Sequence, residues 1–227
     1  MYWIILIGFG LLSWWVSSTL KRRFREYSEI PTSSGLSGAE VAERMLRDNN
    51  IHDVRVISVE GELTDHYNPK DKTINLSRAV YHGRNVSAAA VAAHETGHAV
   101  QHATAYAMLN LRSAMVPMVN LSSKMMNVIF IMAILGGAVF GLMPQMFLLV
   151  IVAQAIITAF SLVTLPVEFD ASARALQWLN MSKITVGTEH EKAKNALQWA
   201  ASTYVVATLA AIAQLLYFIM AFGGDRD

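Results

Sequence analysis

From Tyr2 to Leu20 the chain has no charged residue, and Lys21-Arg22-Arg23-Phe24-Arg25 follows at once. About 20 such residues in a helix span the hydrocarbon core of a bilayer. A cleaved signal peptide would carry its positive charge before the apolar run, and here the charge comes after it. The segment reads as a membrane anchor with its N-terminus outside and its basic end in the cytoplasm. Three more apolar runs follow. Asn127 to Met143 is a second span, in which Gly136, Gly137 and Gly141 permit close helix packing. Pro144-Gln145 is read as a tight turn, and Met146 to Leu165 runs back as a third span. Thr203 to Phe222 is the fourth, ending at Gly223-Gly224-Asp225-Arg226-Asp227. Long apolar helices also fill large soluble proteins. Here 54% of residues are hydrophobic and only 15% charged, against about 25% charged in ordinary soluble domains. That leaves too little polar surface to cover so much buried helix.

Charge bias tests this arrangement. With Lys21 in the cytoplasm, residues 21–126 are there too, the second span leads out, the third returns, and residues 166–202 are cytoplasmic again. That last segment carries Arg174, Lys183, Lys192 and Lys194, as the positive-inside rule requires. The outer turn has no charge, and the short acidic tail suits the outside. A net charge of +1 gives no footing for nucleic acid. The chain has no cysteine, so disulfides, thiol chemistry and cysteine-bound zinc are excluded.

Residues 21–126 hold mixed structure. Ile30-Pro31-Thr32-Ser33-Ser34-Gly35 reads as a linker. Ser37-Gly38-Ala39-Glu40 is a capping box ahead of Val41, Ala42, Met45 and Leu46, an amphipathic helix of roughly three turns. Val54 to Val59, Leu63 to Tyr67 and Thr73 to Leu76 read as strands, the last two joined by Asn68-Pro69-Lys70-Asp71. An exposed edge of this sheet could hold an extended peptide by main-chain pairing; the alternative is a purely structural hairpin.

His94-Glu95-Thr96-Gly97-His98 follows the alanine-rich run Val86 to Ala93, a strong helix former with Ser87 as the expected N-cap. Residues four apart stack on one helix face, so His94 and His98 can each direct a ring nitrogen to one zinc ion. Glu95 is placed to hold and deprotonate a water beside it. Two surface histidines with an ordinary glutamate would look the same as a bare pattern. Inside a largely apolar helix, however, these groups need polar partners. Gly97 costs roughly 1 kcal/mol of helix propensity against alanine, which suggests close approach by a neighbour.

A catalytic zinc site takes three protein ligands and keeps a position for water. His102 shares the face of His94 but stands about 12 Å along the axis from it, too far for one ion with bonds near ~2 Å. The extended three-histidine spacing is also absent, because Thr104 occupies its last position. Pro166-Val167-Glu168-Phe169-Asp170 offers a better donor. Pro166 can start a helix after the third span, and Glu168 lies on the same side of the membrane as His94. Two histidines and a glutamate form a known catalytic zinc set. Charge favoured at a helix start by the macrodipole is the other explanation of Glu168, and the preferred one for Asp170.

The pieces Asp65-His66-Tyr67-Asn68-Pro69, Asn75-Leu76-Ser77, Ala92 to Gln101 and Leu165-Pro166-Val167-Glu168-Phe169 resemble the YugP-like family of bacterial neutral zinc metallopeptidases. The resemblance covers essentially the whole chain. It implies a membrane-embedded peptidase of the gluzincin type, with His94 and His98 as zinc ligands, Glu95 as base and Glu168 as third ligand. Members of that clan often carry an aspartate four residues after the ligand glutamate, to orient a histidine. Here Ser172 stands at that place, and it can hydrogen-bond a histidine without supplying charge. Asp170 lies off that face.

The expected fold class is mainly α: a polytopic membrane protein of about four transmembrane helices with a small cytoplasmic α+β, zincin-like catalytic part. Residues 1–20 form the anchor and 21–126 the catalytic part. Residues 127–165 form two spans, 166–202 a cytoplasmic helical segment with the third ligand, and 203–227 the last span and tail. The expected reaction is peptide hydrolysis on unfolded or membrane-proximal protein segments at the cytoplasmic face of a bacterial plasma membrane. His66, Tyr67, His102 and Arg174 are all candidates for steadying the oxyanion. A zinc-binding scaffold or chaperone-like protein is the rival reading, and the intact Glu95 counts against it. A transporter is disfavoured because the three later spans carry no charge in their apolar cores.

Overall fold

A computed structural model describes residues 2–136 and 144–224. The chain is mainly α-helical and divides into two compact units. One comprises Met1–Trp14, Asn110–Leu165 and Thr203–Asp227, the other Trp15–Leu109 and Pro166–Ser202. Helices α1 (Tyr2–Ser28), α6 (Pro144–Met181) and α7 (Thr188–Gly224) each continue from one set of residues into the other. With α5 (Ala107–Gly136), they are, among the described residues, the four helices long and apolar enough to cross a membrane.

In the first unit, polar side chains join α6 to α7. Gln154 Nε2 and Thr158 Oγ1 each donate to the Ala211 carbonyl at 3.1 Å, and Thr208 Oγ1 donates to the Ser161 carbonyl at 3.3 Å. Such bonds hold helices together where lipid provides no hydrophobic drive for association. Tyr2 of α1 packs its ring on Tyr217 and Phe218 of α7, with centroids 5.2 and 5.6 Å apart.

The second unit is built around α2 (Gly38–Asp48), a three-stranded sheet and α4 (Val86–Ala103). The capping box is present. Ser37 Oγ accepts from the Glu40 amide, and the Glu40 carboxylate accepts from the Ser37 amide at 2.7 Å. Behind it Val41, Ala42, Met45 and Leu46 are all buried against the alanines of α4. Strand β1 (Arg55–Val59) runs parallel to β3 (Thr73–Ser77), and β2 (His66–Asn68) pairs antiparallel on its other side. The central strand β3 is buried along its whole length, leaving β1 and β2 as the edges. The chain then forms a short helix, α3 (Arg78–His82), which the sequence reading did not contain.

Several local expectations change. The N-cap of α4 is Asn85, whose Oδ1 accepts from the Ala88 amide at 2.9 Å. Ser87 lies inside the helix and donates its hydroxyl to the Phe24 carbonyl instead. Pro166 does not start a helix. It sits inside the continuous α6, where helix formers on both sides outweigh the one hydrogen bond a proline removes. Pro144 and Gln145, read as a turn, are the first helical residues of α6. Gly137, Gly141 and the end of the second span at Met143 lie outside the described residues, as does the tail from Asp225. Helix α5 begins at Ala107, twenty residues ahead of the expected start of the span at Asn127.

Candidate metal centre

Helix α4 is covered on nearly every side: 14 of its 18 residues are buried. A helix buried all round cannot leave imidazoles and a carboxylate without partners. Its alanines admit close neighbours, and at Gly97 the approach is closest. A Cβ built there would stand 2.6 Å from the Ala171 carbonyl oxygen of α6. The glycine thus lets the backbones of α4 and α6 touch, as its helix cost suggested. Glu168 lies about one turn before Ala171 on the same helix, so this contact carries its carboxylate to the histidines.

Glu168 Oε2 lies 3.3 Å from His94 Nε2 and 3.6 Å from His98 Nε2. One ligand atom from each of the three residues falls within 4.8 Å of the others. The two imidazoles stand nearly perpendicular, at 81°, with ring centroids 4.8 Å apart. A tetrahedral ion with bonds of ~2.0–2.1 Å separates its ligand atoms by roughly 3.3–3.4 Å, close to the two distances from Glu168. The donors are two nitrogens and a carboxylate oxygen in a chain without cysteine, a combination zinc accepts. Burial alone would lower the basicity of His98. Its hydrogen bond to Glu168 and the charge of Glu95 outweigh that and raise its pKa.

Glu95 is buried beside this group, and its Oε2 accepts from the Tyr67 amide of β2 at 3.0 Å. The edge strand therefore directs a main-chain donor at the glutamate. Ser172 Oγ stands 3.1 Å from His94 Nδ1, so the serine at the expected aspartate position does meet a histidine. The other ring is held by Gln101, whose Oε1 lies 3.0 Å from His98 Nδ1. Gln101 was missing from the sequence reading, although its spacing of three from His98 puts both on one helix face. Asp170 is not at a helix start, so the macrodipole does not explain it. Its Oδ2 accepts from Gln101 Nε2 at 2.8 Å and from Arg174 Nε at 2.6 Å.

The four candidate oxyanion partners all have contacts elsewhere. His66 Nδ1 lies 2.7 Å from the Thr64 carbonyl, and Tyr67 Oη lies 2.7 Å from His102 Nδ1. Arg174 binds Asp170 and lies over the Tyr106 ring. His102 is accordingly a polar neighbour and stands outside the three-residue group.

A mainly helical polytopic chain with a buried two-histidine, one-glutamate centre defines a class: membrane-associated, with the donor set of a zinc hydrolase. The chain belongs to the family described as "Putative neutral zinc metallopeptidase", whose profile matches residues 2–223. It is 42% identical over 216 residues to the "Putative membrane protease YugP" of Bacillus subtilis (strain 168), covering 95% of this chain and 94% of that one. No solved structure matches it. The family's description names zinc, and His94, His98 and Glu168 are the candidate residues to hold it.

Proposed function

We propose that the protein is a membrane zinc endopeptidase in which His94, His98 and Glu168 hold the metal and Glu95 is the general base. The observation that carries this reading is the convergence of those three ligand atoms from α4 and α6, with Glu95 one residue from His94. Bound zinc would supply Lewis acidity, polarising the scissile carbonyl and acidifying a water. Glu95 takes the proton from the attacking water and delivers it to the leaving amine. The Tyr67 amide fixes the glutamate rotamer in the meantime.

The substrate is an extended peptide segment. Strand β2 is a sheet edge, and the Tyr67 amide points away from β3 toward the site. A peptide paired along that edge would pass the metal group. The assignment of residues 21–126 and 166–202 to the cytoplasm, with the N-terminus outside and unfolded or membrane-proximal proteins as substrates, is part of the same proposal. It rests on the excess of Lys and Arg in those two segments.

Purified full-length protein with Glu95→Gln tests the reaction. The variant is expected to retain one zinc per chain by elemental analysis while cleavage of an unfolded protein substrate falls roughly 10²–10⁴-fold. Undiminished cleavage would refute the role of Glu95 and favour a contaminant or another mechanism. A wild type that binds no zinc would remove the metal centre altogether.

A further inference from the structure

We propose that Gln101 is a positioning residue that fixes the tautomer of His98, held in its own orientation by Asp170 and Arg174. The inference rests on the metal-centre reading above and concerns how this chain prepares that centre. An amide side chain has one acceptor end and one donor end, and which end faces which neighbour follows from the neighbours. Gln101 is wholly buried. One end of its amide lies 2.8 Å from both the Val167 carbonyl and Asp170 Oδ2. A backbone carbonyl can only accept, so that end must be the NH₂. The other end, 3.0 Å from His98 Nδ1, must then be the oxygen.

An oxygen facing a ring nitrogen requires a proton on that nitrogen. His98 therefore keeps N–H at Nδ1, and its Nε2, the atom facing Glu168, is the one that presents a lone pair to a metal. Ser172 cannot dictate the His94 tautomer in this way, because a hydroxyl both donates and accepts. Arg174 Nε donates to the same Asp170 oxygen, which holds that oxygen turned toward Gln101. The chain Arg174–Asp170–Gln101–His98 thus brings a carboxylate to bear on a ligand histidine at one remove. The Val167 bond of Gln101 ties it to the residue just before Glu168. Two of the three ligands are consequently set by one buried amide.

The test needs no catalytic assay. In zinc-loaded, histidine-labelled full-length protein, long-range proton–nitrogen spectra should show the His98 proton on Nδ1 and the metal on Nε2. The opposite pattern would overturn the proposal with no variant needed. Gln101→Met, which keeps the volume but removes both ends of the amide, should weaken zinc binding roughly 10- to 100-fold in a chelator competition. Asp170→Asn keeps the packing but removes the charged acceptor; the Val167 carbonyl still faces the NH₂ end, so zinc should weaken in the same direction but by less than in Gln101→Met, with the His98 proton still on Nδ1. Unchanged zinc affinity in the Gln101→Met protein would also refute the idea, and unchanged affinity in the Asp170→Asn protein would remove Asp170 from it. Failure of the wild type to bind zinc would instead defeat the metal-centre reading on which it stands.

Discussion

Gly97→Ala places a single methyl group at the closest contact between α4 and α6. Its Cβ would start 2.6 Å from the Ala171 carbonyl oxygen, and 3.2 Å from the Ala171 carbonyl carbon and Cα. All three are backbone atoms, so no side chain can rotate out of the way. Restoring ordinary contact near ~3.4 Å takes an opening of about 0.8 Å between the helices, on the scale of optimal carbon contacts. Alanine would gain roughly 1 kcal/mol of helix propensity over glycine, while overpacking a tight contact costs about 1–3 kcal/mol. Stability of the metal-free protein should therefore fall by no more than about 2 kcal/mol.

The metal centre responds differently. Glu168 rides on α6 and the histidines on α4, and metal sites tolerate only about 0.2 Å of error in ligand distances. An opening several times that tolerance should reappear as lost affinity. If 1–3 kcal/mol is taken up there, zinc binds roughly 5- to 150-fold more weakly, at 1.4 kcal/mol per factor of ten. Chelator competition reads the affinity, and melting without zinc reads the fold. Wild-type zinc affinity in the Gly97→Ala protein, with the same zinc-induced rise in melting temperature, would show that this helix contact does not set the site.

Three further substitutions probe separate links. Glu168→Gln keeps the shape of the side chain but not its charge, and tight stoichiometric zinc should be lost; retained zinc would remove Glu168 from the ligand set while leaving the histidines. Asn85→Ala takes away the cap of α4 and should lower stability by about 1 kcal/mol, as denaturant melts would show. Burial raises the Asp65 pKa in spite of its bonds from the Ser77 amide and hydroxyl. A raised folded-state value means that its stabilising contribution is full below the ordinary carboxylate range and falls as pH climbs through the folded value. Asp65→Asn should therefore compare more favourably with the wild type near neutrality than near pH ~4; a stability difference that stays constant with pH would contradict this.

Legibility in the sequence followed the range of the interactions. The first, third and fourth apolar runs, the capping box of α2 and the strand containing Ile74 and Leu76 are local patterns and appear where hydrophobic spacing puts them, whereas the second run lies in a helix that starts twenty residues before Asn127. The three residues of the candidate metal group were also readable, because two lie one turn apart and the expected topology put the third on their side of the membrane. The boundaries of helices were less readable. Pro166 and Pro144 carry a strong local signal for a start or a turn, yet both lie within α6 because its long apolar packing overrides a single missing donor. Ser87 and Asn85 are both good caps by type, and only the Phe24 carbonyl, brought in by α1, decides between them. The surroundings of the ligands were least readable of all. Whether Asp170 is an idle charge or a support for His98 depends on Gln101, which is 69 residues away in the chain and one hydrogen bond away in space. Ser172, where an aspartate was expected, meets His94, whereas the carboxylate of Asp170 reaches His98 through Gln101. On the proposal above, a ligand histidine is held in one tautomer by residues that no local pattern connects, because the link runs across the contact between α4 and α6.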